Sequence, residues 1–100
     1  MMIRGTTPTH YFTLPFNAGE IDKLRITYAQ SGLTVLELTE ADVSTDGQEI
    51  RYQLTQEDTL KFKNNVLVEL QIKVKTLEGN VLASNVMAIS VSKILNEDVL

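Results

Sequence analysis

The stretch VLVELQIKVKT, residues 66–76, constrains this chain more than any other, because apolar and polar side chains alternate through it with a period of two. Val66, Val68, Leu70, Ile72 and Val74 share one face, and Leu67, Glu69, Gln71, Lys73 and Lys75 share the other. A helix would scatter these side chains around its axis, whereas a strand sorts them into a dry face and a wet one. The same rhythm recurs along the chain. HYFTLPF places Phe12, Leu14 and Phe16 together, and LRITYAQ does so for Leu24, Ile26 and Tyr28. Leu36 and Leu38 flank Glu37, and Ile50, Tyr52 and Leu54 alternate with Arg51 and Gln53. NVMAISVSK sets Met87, Ile89 and Val91 against Ala88, Ser90 and Ser92. Half-buried strands of antiparallel sheets carry this pattern.

Turn residues fall between the runs: Asn17-Ala18-Gly19, Ser31-Gly32, Asp46-Gly47 and Glu78-Gly79-Asn80. Only LTQEDTLKF departs from the alternation. There Thr55 can cap a helix with Asp58 three residues on, and Glu57 and Asp58 suit the positive end of its dipole. Leu60 and Phe62 would plug one end of the core, and Asn64-Asn65 would return the chain to a strand. The prediction is an all-β, immunoglobulin-like antiparallel β-sandwich of six or seven strands with one short helical turn at about 56–62. Residues 1–100 form a single domain on this reading: an extended N-terminal arm over 1–9, the sandwich over 10–93 and a C-terminal tail over 94–100.

Composition narrows the function classes. With no cysteine and one histidine, disulfides, thiolate chemistry and multi-histidine metal sites within one chain drop out. No apolar run approaches the roughly 20 residues of a membrane helix, and no basic head with an apolar segment opens the chain. No membrane association and synthesis in the cytoplasm are therefore expected. The net charge is −4 and the nine basic residues are scattered along the sequence, so nucleic acid is not an expected partner.

The site candidates are sparse. Asp42, Ser44, Asp46 and Gly47 imitate the start of an EF-hand loop, but Gln53 stands where the bidentate glutamate belongs, and an acidic turn between strands explains them. His10 could act as a base, yet no nucleophile or orienting carboxylate lies near it in the sequence. With Thr6, Thr7, Pro8 and Thr9 it reads as part of an extended segment. Tyr28 and Tyr52 fall on core faces and Tyr11 on a surface face. No catalytic, cofactor-binding or metal residues are assigned, no cofactor is expected, and the chain is read as not an enzyme.

Contact surface remains. Leu67, Leu33 with Val35, and Val86 with Ala88 fall on polar faces, where they could form an assembly patch. Arg4 to Thr9 and Ile94 to Leu100 could pair with the sheet edge of a neighbour. The segments MIRGTTPTHYFTLPF, LRITYAQSGLTVLE, LTQEDTLKF and VELQIKVKTLEGNVLASN together resemble a family of small proteins encoded in phages and prophages of gut-associated Gram-positive bacteria, near virion structural genes. The strand order with a helical turn before the penultimate strand is also similar, in topology only, to the immunoglobulin-like N-terminal domain of phage baseplate upper proteins. The resemblance implies a non-enzymatic virion component of capsid, neck or tail, made in the host bacterial cytoplasm. Its partners would be itself or other virion proteins, as a homo-oligomer or in many copies in a symmetric assembly. The alternative is a small acidic phage inhibitor of a host defence protein, which a patch of Glu37, Glu40, Asp42, Asp46 and Glu49 would favour.

Overall fold

Alternating residues become strands through most of the chain in the computed structural model, which describes residues 1–99. The strands are β1 (Met2–Ile3), β2 (Thr9–Thr13), β3 (Ile21–Gln30), β4 (Leu33–Thr39), β5 (Ser44–Asp46), β6 (Glu49–Gln53), β7 (Val68–Thr76), β8 (Val81–Ala83), β9 (Met87–Ile89) and β10 (Val91–Ser92). One α-helix, α1 (Gln56–Leu60), and a 3-10 turn at Ala18–Glu20 complete the described elements. The fold is the expected all-β, immunoglobulin-like antiparallel sandwich. Ten strands appear among the described residues rather than six or seven, because several pairings of two or three residues leave no periodic trace.

The larger sheet runs β4-β3-β7, with β8 and β9 following one another along the far side of β7. Its centre is the antiparallel pair β3–β7, which sets Leu24 opposite Val74, Ile26 opposite Ile72 and Tyr28 opposite Leu70. The smaller sheet runs β2-β6-β5, with Phe12 opposite Ile50 and His10 opposite Tyr52. Between the sheets lies one core cluster that includes Met2, Phe12, Leu14, Leu24, Ile26, Tyr28, Leu38, Ile50, Leu54, Phe62 and Val91. The inward phase assigned from the alternation is the buried phase of β3, β6 and β7.

Local chemistry places the connections. Ser31 and Gly32 both take positive φ, 50° and 78°, as a two-residue hairpin turn between right-twisted strands requires. Helix α1 starts with the expected capping box: the Thr55 hydroxyl accepts from Asp58 N–H, and the Asp58 carboxylate accepts from Thr55 N–H. It ends at Leu60, short of the expected 62, while Phe62 continues into the core at 1% exposure. Gln30 closes the inward series of β3. Its side chain donates to the carbonyls of Lys63 and Val66 and accepts from Lys63 N–H, which satisfies a buried amide and moors the loop into β7.

Two expectations need correction. The segment 1–9 is not a free arm: β1 pairs in parallel with β10, Met2 donates to Ser90 O at 2.8 Å, and the Met2 side chain enters the core. Arg4 adds side-chain hydrogen bonds to the carbonyls of Phe62 and Leu60, at 2.7 and 3.1 Å, and an ion pair with Glu97. The last expected strand is also divided. Partner positions across β7 shift by one residue between Lys73–Ala83 and Leu70–Met87, so Ser84–Val86 carry one extra residue as a bulge. Ser84 fills the gap, its N–H donating to Ile72 O and its hydroxyl accepting from Ile72 N–H. Beyond Ile89 the chain leaves the larger sheet and β10 joins β1. Residues 93–99 form neither helix nor strand, and Leu100 of the expected tail lies outside the described residues.

Candidate functional site

The polar residues singled out from the sequence do not converge on one centre. Asp42 closes its own turn, accepting from Thr39 N–H at 2.8 Å and the Thr39 hydroxyl at 3.2 Å. Ser44 and Asp46 lie on β5, where the Asp46 carboxylate is 3.8 Å from Arg51. Gly47 supplies positive φ for the β5–β6 turn, and Gln53 is at the end of β6. Among the described residues no three histidine or carboxylate side chains gather closely enough to hold a metal ion. The acids Glu37, Glu40, Asp42, Asp46 and Glu49 are divided as well. Glu37 and Glu40 both reach Arg25, at 3.6 and 3.3 Å, whereas Asp46 and Glu49 are opposed across the β5–β6 hairpin.

His10 has a structural task that the sequence reading missed. It sits on β2 in the same phase as Phe12 and points between the sheets, stacked on Tyr28 with centroids 5.7 Å apart and edge-on to Phe12 at 6.5 Å. Its Nδ1 lies 2.7 Å from the Tyr28 hydroxyl. Burial raises the pKa of Tyr28 beyond the ordinary tyrosine range, and the nearby Tyr52 and Asp58 add to the effect. The phenol therefore keeps its proton and shares a hydrogen bond with the imidazole. Burial, followed by the positive N-terminus, lowers the pKa of His10 below 6.5. Beside this pair, the Tyr52 hydroxyl donates to Asp58 at 2.6 Å. The Tyr52 pKa is pushed up to about 12, by burial first and then by that hydrogen bond and the Asp58 charge. Imidazole and carboxylate thus serve separate tyrosines.

A pH dependence follows. Above 6.5 both folded and unfolded chains hold His10 neutral. As pH falls through 6.5 the unfolded chain takes up the proton first, so stability drops until the lowered folded value is also passed. Urea midpoints measured from about pH 7.5 down to about pH 5 are expected to fall, and His10→Phe to flatten that part of the curve. Equal slopes in the two proteins would remove His10 as the cause.

The outer surfaces offer more. Leu33, 73% exposed, is at the β3–β4 hairpin, and Leu67, 59% exposed, lies just ahead of β7 at the same end of the larger sheet. Val86 projects from the edge-strand bulge, and Leu95 is 94% exposed in the segment after β10. Basic residues also gather where the sequence showed none adjacent. The β3–β7 register sets Lys23 directly opposite Lys75 and Arg25 directly opposite Lys73 on the outer face, so four of the nine basic residues form one block. No family model, curated protein or solved structure matches the chain.

Proposed function

We propose that this chain is a non-enzymatic assembly protein that joins neighbours by extending its sheets, and that the assembly is a phage particle in which it serves in the capsid, neck or tail. The phage context rests on the sequence resemblance alone. One observation carries the assembly reading: β4 is an open edge. Among the described residues it pairs only with β3; it runs seven residues as LTVLELT, and carries a single charge and no proline. A bulge at Val35, the extra residue between the Tyr28–Leu36 and Ala29–Thr34 pairs, is its one interruption. Soluble proteins commonly blunt such edges with short strands, lysines or prolines, because unpaired N–H and C=O groups recruit other strands. A neighbouring strand would satisfy those groups and cover Leu33 at the same step.

Lysines at exposed positions of the edge test this. Leu33→Lys combined with Thr34→Lys removes no buried side chain, so the melting temperature is expected to stay within about 3 °C of the parent. Sedimentation velocity at micromolar concentration is expected to show self-association in the parent and a monomer in the variant. A parent that stays monomeric and is missing from purified particles by mass spectrometry overturns the reading.

A further inference from the structure

We infer that the outer face of β3 and β7 is a docking surface for an acidic protein segment, distinct from the β4 edge. Like charges placed directly opposite on neighbouring strands destabilise a sheet. This chain does so twice in succession, at Lys23–Lys75 and Arg25–Lys73, although its net charge is −4. The fold does not resolve the conflict internally. Of the four cations Glu37 and Glu40 reach only Arg25, and no ion pair reaches Lys23, Lys73 or Lys75 among the described residues. The four cations line a depression of about 230 Å³ together with Leu24, Val74 and Val81. An arrangement that costs stability and leaves three lysines without an intramolecular ion pair is accounted for by an external anion.

The geometry selects the kind of anion. Alternate residues on a strand are about 6.8 Å apart and neighbouring strands about 4.8 Å, so the block presents a small lattice of positive charge. An extended peptide with carboxylates at alternate positions repeats the longer of these spacings. The border of the block is apolar: Val81, 57% exposed, stands beside Lys75 on β8, and with Leu77, 68% exposed, it lines an adjoining cleft. A protein segment that sets acidic side chains on the lysines and an apolar one on this ledge would bury both parts. A nucleic acid has nothing to place on the ledge. It would also find no aromatic ring lining the depression on which to stack a base.

The test uses fluorescence anisotropy with the whole chain and a short labelled peptide bearing glutamates at alternate positions and leucines at one end. Two controls are its glutamine counterpart and a labelled single-stranded thymidine oligonucleotide of similar length. The glutamate peptide is expected to bind at least about tenfold more tightly than either control at low salt, and to weaken as salt rises. Lys73→Glu/Lys75→Glu is expected to reduce its binding at least about tenfold. The same variant turns two repulsive cross-strand pairs into attractive ones, and its melting temperature should rise by about 2–5 °C, which shows that it folds. Equal binding of the glutamate and glutamine peptides, or undiminished binding by the folded variant, overturns the inference. Tighter binding of the oligonucleotide does so too, and makes the face a nucleic-acid surface. Self-association through β4 can survive any of these results, because Lys73 and Lys75 are not on that edge.

Discussion

Tyr28→Ala is expected to lower the unfolding free energy by about 3–5 kcal/mol, out of the roughly 5–15 kcal/mol that domains of this kind possess. Tyr28 is fully buried on the central strand β3, and its cross-strand partners are Leu36 on β4 and Leu70 on β7. Across the sandwich its ring meets His10 at 5.7 Å and Phe62 at 5.9 Å, so it joins both sheets to the chain leaving α1. Truncation leaves a cavity among strands whose backbones are locked in a ladder and can close little of it. Tyr28→Phe separates packing from polarity. It keeps the ring and loses only the hydrogen bond to His10, at an expected cost of about 1 kcal/mol. The half-buried imidazole can turn to solvent for a replacement partner. Urea unfolding of both variants at neutral pH supplies the comparison. A Phe variant as unstable as the Ala variant would mean that the polar contact, and not the ring, holds the sheets together.

Much of this core was legible in the sequence, because alternation is a local signal and the buried phase of a strand follows from its parity. Leu24, Ile26, Tyr28, Ile50, Leu54, Val68, Leu70, Ile72 and Val74 all lie where their runs placed them. The capping box at Thr55 and Asp58 was equally local. Even the inward direction of His10 was written in the parity it shares with Phe12 and Leu14, but a proline and three threonines upstream suggested an arm instead. The parallel pairing of β1 with β10 joins residues at opposite ends of the chain, and two-residue strands have no period to detect. The extra residue at Ser84–Val86 was hidden too, since a bulge shows only in the register against its partner.

The basic block shows the same limit at the level of function. Lys23 with Arg25, and Lys73 with Lys75, look like ordinary solvated faces of two separate strands. Their juxtaposition depends on which strand pairs with which and in what register; a slip of one residue would set Lys75 opposite Leu24 and Lys73 opposite Ile26. Charge scattered along a chain is thus no guide to charge on a sheet until the pairing is known. The acids behave in the opposite way. Glu37, Glu40, Asp42 and Asp46, close together in sequence, are dispersed by the fold onto Arg25, Thr39 and Arg51.

Asp58 should show the second large effect, because one carboxylate performs three tasks at the start of α1. It accepts the Thr55 N–H at 3.0 Å and the Tyr52 hydroxyl at 2.6 Å, and lies 3.9 Å from the Lys61 ammonium. Removing it uncaps a helix too short to persist by itself and frees the loop that delivers Phe62 to the core. A cap contributes about 0.5–2 kcal/mol and a hydrogen bond to a charged group about 1.5–3, and because the two share an atom they do not add fully. Asp58→Ala is therefore expected to cost about 2–4 kcal/mol at neutral pH. Burial alone would raise the carboxyl pKa, but the hydrogen bonds from Thr55 and Tyr52, with the Lys61 charge, outweigh it and hold the value below 3.8. The stabilisation is then complete above 3.8 and disappears as pH falls through the lowered folded value. The gap between parent and variant in urea midpoint should accordingly be wide at neutral pH and narrow in acid. A gap that persists unchanged at the lowest pH where the parent still folds would show that Asp58 acts by shape and not by charge.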